Sequence, residues 1–140
     1  MVSTANIKIG SSIYPISTRT PFQIAMATAT LNELSNGRID FIGLGIGYRA
    51  RIEQYFGLKV ENSHRKMKEY TQIIKGLLSG NEFSYKGRFF HFQDFPKLTP
   101  EPANIPILFG SHVIAKKYRD ASIKIKKYRE RREIIGRSMP

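Results

Sequence analysis

Three glycines that alternate at the end of an apolar run are the residues best suited to hold a ligand. The run extends from Ile39 to Gly47 with the sequence I-D-F-I-G-L-G-I-G, and Tyr48 and Arg49 follow directly. Glycine has no Cβ atom, so a strand that ends in this way lets a flat or phosphorylated ligand come close to the backbone. The spacing differs from the G-x-G-x-x-G of a dinucleotide-binding fold. The pattern predicts the floor of a cofactor site, and a tight turn without a ligand is the alternative.

Few other side chains in the sequence could bind a ligand or a metal ion or take part in catalysis. Arg49 carries a planar guanidinium that could pair with a phosphate or a carboxylate, and a solvated surface arginine is the alternative. The sequence has no cysteine, which excludes disulfides, thiolate metal sites and cysteine nucleophiles. The three histidines are scattered, so no metal site is predicted; they are His64, His91 and His112.

Length and composition indicate one ordinary domain. The chain has 140 residues, of which 41% are hydrophobic, enough for a single core. No segment is long and apolar enough to span a bilayer, and the N-terminus lacks the pattern of a secretory signal. We therefore expect a cytoplasmic protein without a membrane segment.

The positive charge is concentrated near the C-terminus. The formal net charge is +12, and from Val113 onward ten Lys or Arg residues face three acidic ones, a net of +7. We divide the chain into a domain of residues 1–112 and a basic helix and tail of residues 113–140. Such a cluster could bind nucleic-acid phosphates, but no base-reading motif accompanies it, so a charged outer helix face is favoured and nucleic-acid binding is not expected.

A strand and a helix are predicted before the glycine-ended strand. The stretch from Ile7 to Ile13 has the pattern of a short strand, and Pro15 is expected to stop it. Thr20, Pro21 and Gln23 have the spacing of a capping box with proline at the first helical position. The apolar face of this helix is predicted to consist of Ile24, Thr28, Leu31 and Leu34, and the helix is expected to end at Ser35-Asn36-Gly37.

A second helix and a hairpin are predicted after the glycines. Ser63 is the expected N-cap, and the helix should end at Ser79-Gly80 with a charged, solvated outer face. Its apolar stripe is predicted to be Met67, Tyr70, Ile74 and Leu77. Two aromatic-rich stretches, from Phe83 to Tyr85 and from Arg88 to Phe92, then flank Lys86-Gly87 and predict a small hairpin whose aromatic rings pack against each other.

A third strand and a third helix complete the pattern. The strand is predicted from Ile107 to Phe109, followed by Gly110, and is expected to be buried. The helix is predicted from a narrow apolar stripe of Ile114, Tyr118, Ala121, Ile125 and Tyr128. Strand and helix therefore alternate three times, which is typical of parallel βαβ units with right-handed crossovers.

Five sequence blocks, taken in order, carry a family resemblance. They run from Thr18 to Arg38, Gly43 to Arg49, Tyr55 to Gly57, Leu77 to Phe90 and Pro106 to Ser111. Their order and spacing resemble the luciferase-like monooxygenases, a group that includes relatives of bacterial luciferase and deazaflavin-dependent reductases and dehydrogenases. The resemblance covers about residues 7–111. It implies a (β/α)8 barrel that uses FMN or a deazaflavin coenzyme for hydride transfer or oxygen insertion.

The resemblance also implies where the cofactor lies. The end of the family's third strand, here Ser12 and Ile13, often contains a non-prolyl cis peptide that forms a bulge behind the cofactor ring. The loop after the fourth strand, which lies near the cofactor, corresponds to Gly45, Ile46, Gly47, Tyr48 and Arg49. The resemblance assigns no catalytic residue and no metal ligand.

A complete barrel of this kind takes about 250 residues. The resemblance begins at the family's third strand and ends just after its fifth, and beyond Ser111 the basic run departs from the family pattern. We therefore expect an α/β fold that is a partial TIM barrel, with about three parallel strands, alternating helices and the hairpin as an insertion. A truncated member, weakly active or inactive by itself and with or without a bound cofactor, is the expected function. The alternative is a fragment that forms a homo-oligomer, a dimer or higher, through its open sheet.

Overall fold

The computed structural model describes residues 6–110, which form a parallel sheet, three helices and a separate hairpin. The elements in chain order are β1 Ile9–Gly10, β2 Tyr14–Pro15, α1 Pro21–Leu34, β3 Ile39–Gly45, α2 Arg49–Phe56, α3 Ser63–Leu77, β4 Phe83–Lys86, β5 His91–Phe95 and β6 Ile107–Gly110. The predicted domain boundary at residue 112 and the predicted helix from Ile114 to Tyr128 lie outside these residues.

Strand β3 is the centre of the sheet. Its Leu44 pairs with Tyr14 of β2 along one edge and with Phe109 of β6 along the other, and all of these pairings are parallel. Strand β1 joins β3 nearer its start, where Ile9 pairs with Ile39. The described sheet is therefore three strands wide, as the sequence predicted. Strands β1 and β2 lie end to end on one side of β3, and β6 lies on the other side.

The prediction for the first strand was wrong in two respects. The chain forms two short strands where one was expected over residues 7–13, because the regular pairing with β3 is interrupted over residues 11–13. The pairing also continues two residues beyond the predicted end at Ile13: Pro15 ends the strand, as expected, but is itself paired with Gly45. Proline is compatible with this position because the donor to β3 is the Ile16 amide, which bonds to the Gly45 carbonyl at 2.9 Å, so no donor is required at position 15.

Helix α1 begins as predicted. The Thr20 hydroxyl accepts from the Gln23 amide at 3.2 Å, and the Gln23 side chain accepts from the Thr20 amide at 2.9 Å. Its apolar face was predicted correctly for Ile24 and Thr28, which are buried, and wrongly for two leucines: Leu31 is 46% and Leu34 76% exposed. The small residues Ala25 and Ala29 complete the buried face, which turns those leucines outward. After the helix, Asn36 and Gly37 take the expected left-handed conformation.

Helix α3 presents the predicted stripe of Met67, Tyr70, Ile74 and Leu77 to the core, and all four are buried. The N-cap prediction was wrong: Asn62, with φ of 50°, precedes the helix, and Ser63 is its first residue. The last helical residue is Leu77, two positions before the predicted end. The outer face is not uniformly solvated, because Glu69 is only 9% exposed.

Glu69 is buried because it binds the hairpin loop. Its carboxylate accepts from the amides of Arg88 at 2.9 Å, Phe89 at 3.0 Å and Phe90 at 3.3 Å. The predicted hairpin is confirmed, but its loop consists of residues 87–90, closed by the Gly87 amide donating to the Phe90 carbonyl at 2.8 Å, and is longer than the Lys86-Gly87 pair expected between the strands. Three backbone donors converging on one carboxylate make the longer loop favourable.

The aromatic rings of the hairpin pack as predicted. Phe92 and Phe95 contact Phe22 of α1, with ring centroids 5.0 and 5.1 Å apart. Ala25 of α1 packs in the same cluster against Ile73 of α3. The hairpin therefore packs against both helices at the place where they contact each other.

Helices α1 and α3 pack on one face of the sheet. Ile42 and Leu44 of β3 point into this core and are 1% and 0% exposed. Strand β6 was expected to be buried, but all four of its residues are half-buried. Among the helices of residues 6–110, none has the length and apolar character needed to cross a bilayer. The cytoplasmic location stays a prediction.

Candidate functional site

The carboxyl ends of three parallel strand positions meet at one edge of the sheet. Pro15 of β2 and Gly110 of β6 both pair with Gly45, the last residue of β3. Parallel α/β sheets bind ligands at this edge, because the strands end together there and the following loops surround the same space.

Glycines cover the face of the sheet opposite the helices. Successive residues of a strand point to opposite faces of the sheet. Ile42 and Leu44 of β3 face the helices, so Gly43 and Gly45 lie on the other face. Gly110 is opposite Gly45 in the neighbouring strand and shares this face. We call Gly43, Gly45 and Gly110 the glycine floor.

The side chain of Ile13 lies on the glycine floor. A Cβ atom at Gly45 would collide with Ile13 Cδ1, and one at Gly110 would lie 2.8 Å from Ile13 Cγ2. Only residues without a Cβ leave this room, so the glycines and Ile13 form one fitted surface. Ile13 stays 36% exposed on its other side and offers a small apolar platform.

The peptide bond between Ser12 and Ile13 is cis, as the family resemblance implied. The bulge is anchored by Ser11, a residue that the sequence analysis did not single out: its hydroxyl and carbonyl accept from the Gly43 amide at 2.8 and 3.1 Å. The two consecutive serines after Gly10 are the sequence feature that could have indicated this role of Ser11. Ser12 is exposed beside Ile13.

The residues after β3 are divided between the core and the surface. Ile46 is half-buried and packs against the core. Gly47 has φ of 83°, a conformation that favours glycine, and a Cβ there would meet Ile52. Tyr48 precedes α2 as its N-cap and is 71% exposed.

Arg49 is not in a loop, since it is the first residue of α2, a helix that the sequence analysis did not predict. Its guanidinium donates to the Val60 carbonyl at 2.5 Å and pairs with Glu53 at 3.2 Å. Glu53 in turn accepts from the Val60 amide at 3.4 Å. Arg49 therefore ties helix α2 to the loop that follows it.

The predicted site residues thus separate into two groups. Ser12, Ile13 and Gly45 come together at the glycine floor, with Ile46 and Gly47 continuing from it, whereas Tyr48 and Arg49 belong to α2 and its cap. Within the described part of the chain, no three acidic or histidine side chains lie close enough together to hold a metal ion.

The chain belongs to the luciferase-like monooxygenase family, whose sequence model matches residues 1–138. The match continues beyond Ser111, so the family likeness extends further into the basic segment than the five sequence blocks indicated. Together with the parallel sheet and its helices on one face, the match identifies the fold as part of a (β/α)8 barrel.

Individual relatives support this assignment. The chain is 34% identical over 113 residues to a 5,10-methylenetetrahydromethanopterin reductase of Archaeoglobus fulgidus, covering 79% of this chain and 32% of the relative. It is 28% identical over 115 residues to an FMNH2-dependent dimethylsulfone monooxygenase of Pseudomonas fluorescens, covering 78% and 30%. The solved structure of the coenzyme F420-dependent tetrahydromethanopterin reductase of Methanopyrus kandleri superposes with a TM-score of 0.65 at 27% identity, covering 77% and 35%. The chain therefore spans about a third of the length of these relatives.

Proposed function

We propose that this chain forms part of the binding site for the planar ring of FMN or a deazaflavin coenzyme in an oxidoreductase. The observation that carries the proposal is the position of Ile13 on the glycine floor at the carboxyl edge of the sheet. An apolar side chain held flat against backbone suits one face of a tricyclic ring. Relatives named for F420 and for FMNH2 agree with a ring of this kind.

The ring would supply the redox chemistry, hydride transfer or oxygen activation, when bound. The residues of this chain bind and orient it. Ile13 covers one ring face and keeps water from it, while Ser12 places a hydroxyl at the edge of the platform. The glycine floor fixes Ile13, because the side chain has no space to sink into the sheet.

The proposal includes weak binding by the 140-residue chain alone. Arg49, whose guanidinium could have paired with a phosphate or a carboxylate, is engaged by Val60 and Glu53. A ring platform without a committed phosphate ligand supports a Kd of about 1 mM, or roughly 4 kcal/mol of binding free energy. We propose that turnover depends on barrel strands corresponding to the remaining two-thirds of the relatives, and that the chain alone is inactive or weakly active.

The proposal is tested by titrating the chain with FMN and with free deazaflavin ring, following protein NMR signals. Ile13→Ala should weaken ring binding about tenfold, since it removes the platform. Ile9→Ala is the matched control, because Ile9 is 45% exposed and lies in β1, apart from the glycine floor. Equal affinities of the two variants would refute the proposal.

A second proposal concerns self-association. Ile7 is 58%, Ile9 45% and Ile13 36% exposed near the sheet edge formed by β1 and β2. Open edges and apolar sheet surface favour pairing with another chain. As the alternative to ring binding, we propose a homo-oligomer, with a dimer as its smallest form, that buries the inward-facing residues of segments 7–13, 39–45 and 107–109 and therefore covers Ile13. A single monomeric species by light scattering at micromolar concentration would contradict it.

A further inference from the structure

The turn between β2 and α1, residues 16–20, lies at the same edge of the sheet as the glycine floor and is held from both sides. On the sheet side, the Ile16 amide donates to the Gly45 carbonyl at 2.9 Å, and the Ser17 hydroxyl donates to the Ile46 carbonyl at 3.2 Å. The turn is therefore bonded directly to the end of the strand that carries the floor.

On the helix side, the turn is held by one phenol. The Tyr70 hydroxyl lies 2.8 Å from the Ile16 carbonyl and 2.7 Å from the Arg19 carbonyl, so its single proton is shared between two acceptors more than fifty positions away in the sequence. Tyr70 is 2% exposed and packs edge-on against Phe90, with ring centroids 5.3 Å apart. Burial raises its pKa to about 12, so the phenol keeps its proton at neutral pH.

The two sets of bonds form a continuous connection. It runs from Tyr70 on α3 to the Ile16 carbonyl, from the Ile16 amide to Gly45, and from the Ser17 hydroxyl to Ile46. A buried carbonyl that loses its donor is costly, and a turn restrained at fewer points samples more conformations. Tyr70 is thus connected to Gly45 and Ile46 at the end of β3, although its own side chain does not contact the glycine floor.

We propose that Tyr70 is a positioning residue: its hydroxyl fixes turn 16–20 and, through Ile16 and Ser17, the Gly45–Ile46 end of the site for binding a planar cofactor ring. The ring-binding part of this inference rests on the proposed function. The positioning part concerns the protein without ligand and is measured separately.

The experiment uses the 140-residue chain and the variant Tyr70→Phe, which removes only the hydroxyl. Amide hydrogen exchange should become at least about fivefold faster at Ile16, whose amide bonds to Gly45, in line with one lost hydrogen bond of about 1 kcal/mol. Exchange at Ile42 should change less than about twofold, since its amide donates to Pro106 at 2.8 Å on the opposite edge of β3. A loss of general stability would instead accelerate both amides alike and would overturn the proposal.

Two further variants keep the experiment decisive. Ser17→Ala breaks the bond to Ile46 at a half-buried position, so it tests the connection even if Tyr70→Phe does not fold. Tyr85→Phe is the matched control, because that hydroxyl bonds to Gln72 at 2.7 Å on the surface of the hairpin and does not contact the turn. Both Tyr70→Phe and Ser17→Ala should raise the Kd for FMN at least about threefold, and Tyr85→Phe should leave it unchanged.

The two measurements fail independently. If the wild type binds neither FMN nor free deazaflavin, the proposed function is wrong, and the exchange rates at Ile16 and Ile42 alone decide whether Tyr70 positions the turn. If the wild type binds FMN and Tyr70→Phe binds it equally well, the positioning role in ring binding is overturned while the proposed function stands.

Discussion

The close fit between Ile13 and Gly110 leads to a prediction about the free energy of unfolding. The substitution Gly110→Ala should destabilise the wild type but stabilise the Ile13→Ala variant. A Cβ at Gly110 would lie 2.8 Å from Ile13 Cγ2, and the next atoms are 3.9 Å away, at ordinary contact distance. Isoleucine is stiff at χ1, so Cγ2 cannot move aside without turning the whole side chain. In the wild type, Gly110→Ala should therefore crowd Ile13 and nothing else.

The magnitude follows from two opposing effects. Overpacking costs about 1–3 kcal/mol, whereas replacing glycine by alanine gains about 0.4–1 kcal/mol through the unfolded chain. We expect Gly110→Ala to destabilise the wild type by about 1 kcal/mol. In the Ile13→Ala background the crowding atom is absent, so the same substitution should stabilise by about 0.5 kcal/mol.

The assay is a double-mutant cycle from urea unfolding followed by circular dichroism, with all variants at equal protein concentration. The coupling free energy between positions 13 and 110 should be at least about 1 kcal/mol. Gly43→Ala is the internal control, because its Cβ would first meet the backbone carbonyl of Ser11, which Ile13→Ala does not remove. If Gly110→Ala and Ile13→Ala are additive within about 0.5 kcal/mol, Ile13 does not lie on the glycine floor.

Three other substitutions test separate parts of the structure. Glu69→Gln should destabilise the protein by about 2 kcal/mol in urea unfolding, because it weakens three hydrogen bonds to the hairpin loop, whereas the exposed Glu82→Gln should change stability by less than about 0.5 kcal/mol. Folding raises the pKa of Tyr70 from 10.0 to about 12. The unfolded chain therefore loses this proton first, so wild-type stability should fall between about pH 10 and 12, and Tyr70→Phe should show a smaller fall. Arg49→Ala should leave the ratio of FMN to riboflavin affinity unchanged, because the guanidinium is engaged by Val60 and Glu53; a lower ratio would show that Arg49 binds the phosphate.

The parts of the fold that depend on local sequence were predictable. Helix α1 follows from the box of Thr20 and Gln23, and the buried stripe of α3 follows from helical spacing. Strand β3 and its glycine end were also visible, because an apolar run that breaks into glycines has few other interpretations. These signals lie within single elements.

The features that were missed depend on contacts between distant residues. The loop of residues 87–90 is set by Glu69, about twenty positions earlier, which outweighs the two-residue turn that the local sequence favours. The break between β1 and β2 is set by Ser11 bonding to Gly43. Helix α2 escaped prediction because it has only one buried residue, Ile52, and therefore no apolar stripe.

The sequence indicated only part of the glycine floor, because local patterns do not report contacts between distant residues. Gly45 carries a local signal, while the position of Ser12 and Ile13 came from the family resemblance and not from their residue types. The engagement of Arg49 by Val60 was not visible in the sequence, since it requires the chain to return after α2. The role of Tyr70 was hidden because a tyrosine in an apolar stripe is first interpreted as core.

The central claim is that Ile13 forms the platform for the cofactor ring, and a methyl NMR titration tests it most directly. The chain is labelled at the isoleucine Cδ1 methyl groups and titrated with FMN, whose ring current shifts the methyl signals that it covers. We expect the largest upfield shift at Ile13, together with a nuclear Overhauser contact between that methyl group and ring protons. An unshifted Ile13, or a larger shift at Ile52 behind Gly47, would contradict the account.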